Sequence, residues 1–185
     1  MTPGTIPDQA AGVLDFWFAL SSDAHFAKDE GLDRRIAARF APLLDRLKAG
    51  TAAGWTDTPD TTLAAIIVLD QFARNIHRGS GEAFGGDTLA VALALGAIRR
   101  GFDRPLVPER VMFLYMPLMH AEHAGLQHFA IECFEAAGLD EQVRFARAHA
   151  EVIDRFGRFP SRNAALGRES SAAELAYLAR PDAGW

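Results

Sequence analysis

The sequence predicts an all-α fold of about eight helices joined by short turns. Three observations carry this expectation. Apolar residues recur at three- and four-residue spacing through nearly every segment, no stretch of useful length alternates apolar and polar, and Gly and Pro fall at the edges of the periodic stretches. In chain order, Pro7 to Phe18 begins the pattern, with a proline near a first-turn position and Asp8 favourable to the helix dipole. Asp33 to Leu47 follows, placing Ile36, Phe40, Leu43, Leu44 and Leu47 on one face, with Gly50 as its stop. Thr58-Pro59 reads as an N-cap and first-turn proline of a long helix toward Ile76. Asp87 to Arg100 closes at Gly101, Pro108 opens a helix through an apolar run to about Met119, and Leu126 to Ala137 closes at Gly138. Asp140 caps a helix to about Phe156, and Ser171 with Glu174 forms a capping box for a last short helix.

Gly31-Leu32-Asp33, Gly101-Phe102-Asp103 and Gly138-Leu139-Asp140 recur at separations near two periods and one of a tetratricopeptide-like helix pair. The expectation is therefore a tetratricopeptide-like stack of antiparallel helix hairpins, with residues 1–185 forming a single domain. A chain of 185 residues, 49% hydrophobic, is large enough to bury such a core without metals or disulfides. The composition excludes disordered, collagenous and disulfide-rich classes.

Cys133 stands alone, so no disulfide forms within the chain and a reducing compartment is expected. The N-terminal stretch lacks a basic region followed by an apolar one, and the longest unbroken apolar run, Val111 to Met119, is nine residues. The expected location is cytoplasmic, with no membrane partner. A formal charge of −5 argues against nucleic acid as a partner, because phosphate contacts demand a basic face. Of 19 basic residues 17 are Arg, and six of these (Arg144, Arg147, Arg155, Arg158, Arg162 and Arg168) crowd residues 144–168 against only Glu151 and Asp154.

Within the helix read over 61–77, Leu63, Ile66 and Ile67 define an apolar stripe that continues into Asp70, Arg74 and His77. The opposite side is apolar too (Val68, Leu69, Phe72, Ile76), so the helix belongs inside the protein. Asp70 and Arg74 can pair at i,i+4, either as an internal ion pair that fixes packing or as the wall of a pocket. Gln71, Asn75 and Arg78 add a second polar row. So many polar groups on a buried helix are hard to satisfy by mutual pairing, which favours a site.

In the helix from Pro108, Phe113, Met116, His120 and His123 share a face if the helix continues regularly, and Pro117 should kink it. His120, Glu122 and His123 follow that proline. Their spacing departs from the zinc-protease pattern, so no metal is expected. Further on, DRFGRFPSRN over 154–163 crowds Arg155, Arg158 and Arg162 into a turn anchored by Phe156 and Phe159. Arginines near a helix C-terminus complement its dipole, but Arg162 and Asn163 lie beyond it.

Three stretches together, LDQFARNIHRG (69–79), FLYMPLMHAEH with Gln127 (113–127) and DRFGRFPSRNAALGRES (154–170), resemble the bacterial family called domain of unknown function 924. The resemblance extends to VLDFWF and the Trp55 region, almost the whole chain. It implies an all-α, tetratricopeptide-like fold in a cytoplasmic protein and names no reaction. The positions that match the family's motifs are Asp70, Gln71, Arg74, Asn75, Arg78, His120, Glu122, Arg155, Arg158, Arg162 and Asn163. Ser161 stands where the family usually has His, His123 where an acid is usual, and His77 at a position the motif leaves loose.

Together these residues predict a pocket formed by the helix over 61–77, the segment around His120 and the arginine-rich turn. It would bind a small anionic molecule, a carboxylate or phosphate, or a peptide terminus, with no cofactor and no metal. One alternative is a helical-repeat adaptor that grips a protein segment. Another is a hydrolase with His120 as general base and arginines holding an oxyanion.

Overall fold

A computed structural model describes residues 4–181 and residue 183. Among these the chain is all-α, with nine helices, eight of them of seven residues or more, and no strand. They are α1 (Ile6–Phe18), α2 (Ser22–Phe26), α3 (Glu30–Gly50), α4 (59–76), α5 (Asp87–Arg99), α6 (Pro108–His120), α7 (Ala124–Ala136), α8 (Asp140–Phe156) and α9 (Ala172–Leu178). Two 3-10 turns, Gly81–Phe84 and Pro160–Arg162, complete the set that matters for the site.

Side-chain chemistry at the termini sets the helix boundaries. Thr5, Thr58 and Ser171 each cap a helix through a capping box, the last two where the sequence predicts a start. Asp29 caps α3 by accepting from the backbone of Gly31 and Leu32, so α3 begins before Asp33 and Gly31 lies inside its first turn. Gly101 and Gly138 instead sit past helix ends at φ 69° and 68°. The three Gly-x-Asp tripeptides are therefore not equivalent in their place relative to a helix.

Helix α4 lies at the centre, packed against α1, α3, α5 and α6, while α6, α7 and α8 pack in consecutive pairs. Every residue from Leu63 to Leu69 is completely buried. Each large apolar side chain so buried contributes on the order of 1.5–3 kcal/mol. Trp17, Phe72 and Phe113 meet edge-on around α4. A smaller apolar cluster of Val152, Ile153, Phe159 and Tyr177 joins the end of α8 to α9.

Helix α4 is not regular throughout. Pro59–Ile67 is α-helical, Val68–Phe72 is a π-helical turn, and Ala73–Ile76 is α-helical again. Single π turns are rare and cluster at functional sites. This one carries Asp70 and Gln71. The wheel drawn for a regular helix consequently fails at its end: His77 has left the helix and serves as its C-cap, at φ −113° and ψ 29°. Helix α6 runs through Pro117 to His120 and stops there, because Ala121 is extended. His123 therefore does not share a face with His120. It caps α7, its Nδ1 accepting from the backbone N–H of Leu126 at 3.3 Å.

Candidate functional site

The π turn aims the Asp70 carboxylate at three partners. His120 Nδ1 lies 2.8 Å from Oδ1, Arg74 Nη1 3.1 Å from the same oxygen, and Gln71 Nε2 donates to Oδ2. Asp70 is 1% exposed. Burial alone would raise its carboxyl pKa, but Arg74 and His120 outweigh burial and hold it below the usual carboxylate range. Because Asp70 is ionised, His120 Nδ1 carries the donated proton. His120 Nε2 has no hydrogen-bond partner among the described residues, and the side chain keeps 14% of its exposure.

Arg74 reaches beyond Asp70 to Asp87, with Nη1 and Nη2 donating to Oδ1 and Oδ2 at 2.9 and 3.0 Å. Asp87 opens α5 and arrives here because Gly86 precedes it. A Cβ at Gly86 would lie 2.5 Å from the carbonyl oxygen of Leu69, immediately before Asp70. That close approach excludes any other residue without a backbone shift.

Arg162 is the second guanidinium on Asp87, at 3.3 Å from Oδ2, and its Nη2 donates to the His120 carbonyl at 2.9 Å. Phe84 and Phe159 each lie with the ring centroid 4.6 Å from its Cζ. These cation–π contacts fix the guanidinium. Burial first, and the neighbouring Arg74 second, push its pKa down to about 10 despite Asp87. One carboxylate shared by two guanidiniums leaves Arg162 under-neutralised.

A family profile described as "Bacterial protein of unknown function (DUF924)" matches residues 13–182. The chain belongs to this family. The solved structure of a protein of unknown function from Agrobacterium tumefaciens is similar over nearly its whole length, with 34% identity and a TM-score of 0.90. The match covers 95% of this chain and 99% of that one. No curated protein matches.

The eleven motif positions of this DUF924 member divide into separate groups. Asp70, Gln71, Arg74, His120 and Arg162 come together as described. Glu122 stands beside them: it accepts the backbone N–H of Phe159 at 2.8 Å and a bidentate Arg168, at 2.7 and 2.9 Å. Asn75 and Arg78 do not join the cluster. Both turn to Asp33 on α3, Asn75 Nδ2 at 2.8 Å and Arg78 as a two-point clamp at 2.7 and 2.8 Å. The polar row predicted from Gln71, Asn75 and Arg78 is thus split between two sites. Arg158 binds Glu174 at 2.7 and 2.9 Å and the Glu169 carbonyl, and Asn163 Nδ2 donates to Ser170. Arg155 lies over the Phe156 ring and lines, with Arg158 and Ser171, an open cleft of about 490 Å³.

Four contributors were not among the predicted site residues. Asp87 reads as an ordinary first-turn acid, and only the preceding Gly-Gly marks it. Phe84 carries no signal in the sequence. His149 on α8 is buried, with Nδ1 2.8 Å from the Phe145 carbonyl and its ring 6.2 Å from that of His120. Its position three residues after Ala146, on the face of Val143 and Ala150, could have exposed it. Gln127 holds the end of α6, its Nε2 donating to the carbonyls of Met119 and Ala121 at 2.6 and 2.7 Å.

Proposed function

We propose that this protein binds a small oxyanion, a carboxylate or phosphate or a peptide's terminal carboxylate, between His120 Nε2 and the edge of Arg162. The observation that carries this reading is the open Nε2 of a histidine whose other nitrogen is held by a buried carboxylate. Arg162 supports it, being oriented by two rings and short of negative charge. The other arginines support it less: Arg78, Arg158 and Arg168 are each matched to a carboxylate of their own, and Arg155 lies apart, over Phe156. The ligand-binding set narrows accordingly to His120 and Arg162 at the ligand, with Asp70, Gln71, Arg74 and Asp87 behind them.

A thermal-shift series with acetate, citrate, inorganic phosphate and a short peptide tests this, on wild type and Arg162→Met. Methionine keeps the stem between Phe84 and Phe159 and removes the charge. A ligand at 100 times its Kd adds ~2.7 kcal/mol, or roughly 5–10 °C at this size. The expected result is a shift in the wild type that disappears in Arg162→Met. A shift that survives in the variant, or none with any anion, overturns the reading.

The Asp70–His120 contact favours a second reading, hydrolysis by a water that His120 Nε2 deprotonates while Arg162 holds the developing charge. Cys133 is no rival nucleophile, since burial pushes its thiol up to about 11. Turnover of model esters or amides, lost in His120→Ala with the fold intact, would select hydrolysis over simple binding.

A further inference from the structure

We infer, building on the anion-binding reading, that the anion enters this site together with one proton, which His120 takes up on Nε2. The inference comes from the charges that surround His120 on every side. Helix α4 presents Asp70 and Arg74, α5 presents Asp87, and the 3-10 turn presents Arg162. Glu122, next along the chain, is matched by Arg168. Helix α8 presents His149, which burial first and His120 second push down to about 3, so that it is uncharged at neutral pH.

Two guanidiniums therefore face two carboxylates, and with only the Nδ1 proton on His120 the site sums to zero. An incoming anion adds negative charge to a half-buried place whose formal charges already sum to zero, which is costly at low dielectric. The imidazolium form of His120 offsets it. Its second proton has one place to go, because Nδ1–H already points at Asp70. Nε2 binds a proton from solvent and then donates a charge-assisted hydrogen bond to the anion, while Asp70 stabilises the cation behind it. Apart from this proton transfer from solvent to Nε2, no covalent bond forms or breaks. By linkage, anion affinity must fall as pH rises, by up to about tenfold per pH unit for one proton taken up. The second histidine stays neutral and contributes no proton of its own.

The test uses sodium sulfate, which keeps its charge across the histidine range, at constant ionic strength. Its Kd is read by NMR titration of the full chain between about pH 5 and pH 8, where histidines change charge. The same titration follows the His120 ring resonance, assigned by its absence in His120→Gln. The expected result in the wild type is a Kd that rises with pH, with sulfate moving the His120 midpoint upward. In His120→Gln, whose amide can donate without titrating, the Kd becomes independent of pH. Sulfate that binds at His120 with one affinity at every pH overturns the proton coupling and leaves the binding reading standing. Sulfate that does not bind at any pH overturns both. A pH dependence that persists in His120→Gln places the proton elsewhere and also overturns the inference.

Discussion

The protein contains two arginine–carboxylate clusters that look alike in the sequence and differ in what they leave open. In one, Glu174 takes both prongs of Arg158 and also the backbone N–H of Ser171, at 2.7 Å, as part of the capping box of α9. Arg158 first, and the Ser171 N–H second, hold the Glu174 carboxyl far below its ordinary pKa. Its oxygens and the guanidinium are spent on each other and on a helix terminus, so the cluster fastens α9 to the turn after α8. In the other, Asp70 is equally occupied, but one of its partners is a histidine whose second nitrogen has no hydrogen-bond partner among the described residues. A buried carboxylate is a fastener when its partners end the chain of contacts and a positioning group when they pass it on.

The largest effect that separates the two comes from Asp70→Ala. It leaves Arg74 with half its countercharge and His120 without its acceptor inside the core. Removing one partner of a buried pair costs ~3–5 kcal/mol. Urea denaturation should show that loss in the midpoint without a change in slope, and sulfate binding should vanish with it. A cost under about 1 kcal/mol would mean that Asp70 is held by packing and that its ion pairs do not set its position.

His149 sharpens the comparison through pH. Its folded pKa is depressed to about 3, mainly by burial, against ~6.5 when unfolded. Between those values the unfolded chain binds the extra proton, so this histidine stabilises fully above about pH 6.5 and progressively less as pH falls toward 3. Asp33, Asp70, Glu122 and Glu174, whose carboxyls lie below their ordinary values, lose their contributions as pH falls into and below the ordinary carboxylate range of about 4. The window from pH 6.5 to pH 5 therefore reports mainly His149, with a loss on the order of 1.5–2 kcal/mol. In His149→Phe the slope of stability against pH in that window should flatten. An unchanged slope would assign the acid sensitivity to other groups.

What could be read from the sequence follows the range of the forces involved. Thr58-Pro59 and Ser171 with Glu174 declare helix starts because capping acts over three residues. The buried helix around Ile66 and the Asp70–Arg74 pair declare themselves because side-chain spacing is local. The π turn at Val68–Phe72 does not, since a wheel of constant pitch presupposes its absence, and so the Asn75 and Arg78 pairing with Asp33 is lost as well. Asp87 reaches Arg74 and Arg162 only through the close approach of α5 to α4 at Gly86, a contact that no local pattern encodes. The arginines of 154–163 read as one group because their sequence neighbours are shared. Their partners come from different helices and divide them.

That division gives the smallest and most discriminating effect. Arg158 looks, by sequence, as good an anion ligand as Arg162. It shares no hydrogen-bonding partner with Arg162 or His120, and its three donor contacts go to Glu174 and the Glu169 carbonyl. Changes at sites without shared partners add within ~0.3–0.5 kcal/mol, so Arg158→Ala should alter the sulfate Kd by no more than about twofold. The same substitution should loosen α9, leaving Glu174 with only its Ser171 and Asn163 contacts, and amide hydrogen exchange over 172–178 should quicken while α4 and α6 stay protected. If sulfate binding is lost in Arg158→Ala and retained in Arg162→Met, the anion sits in the cleft lined by Arg155 and Arg158, and the roles assigned to the two clusters are reversed.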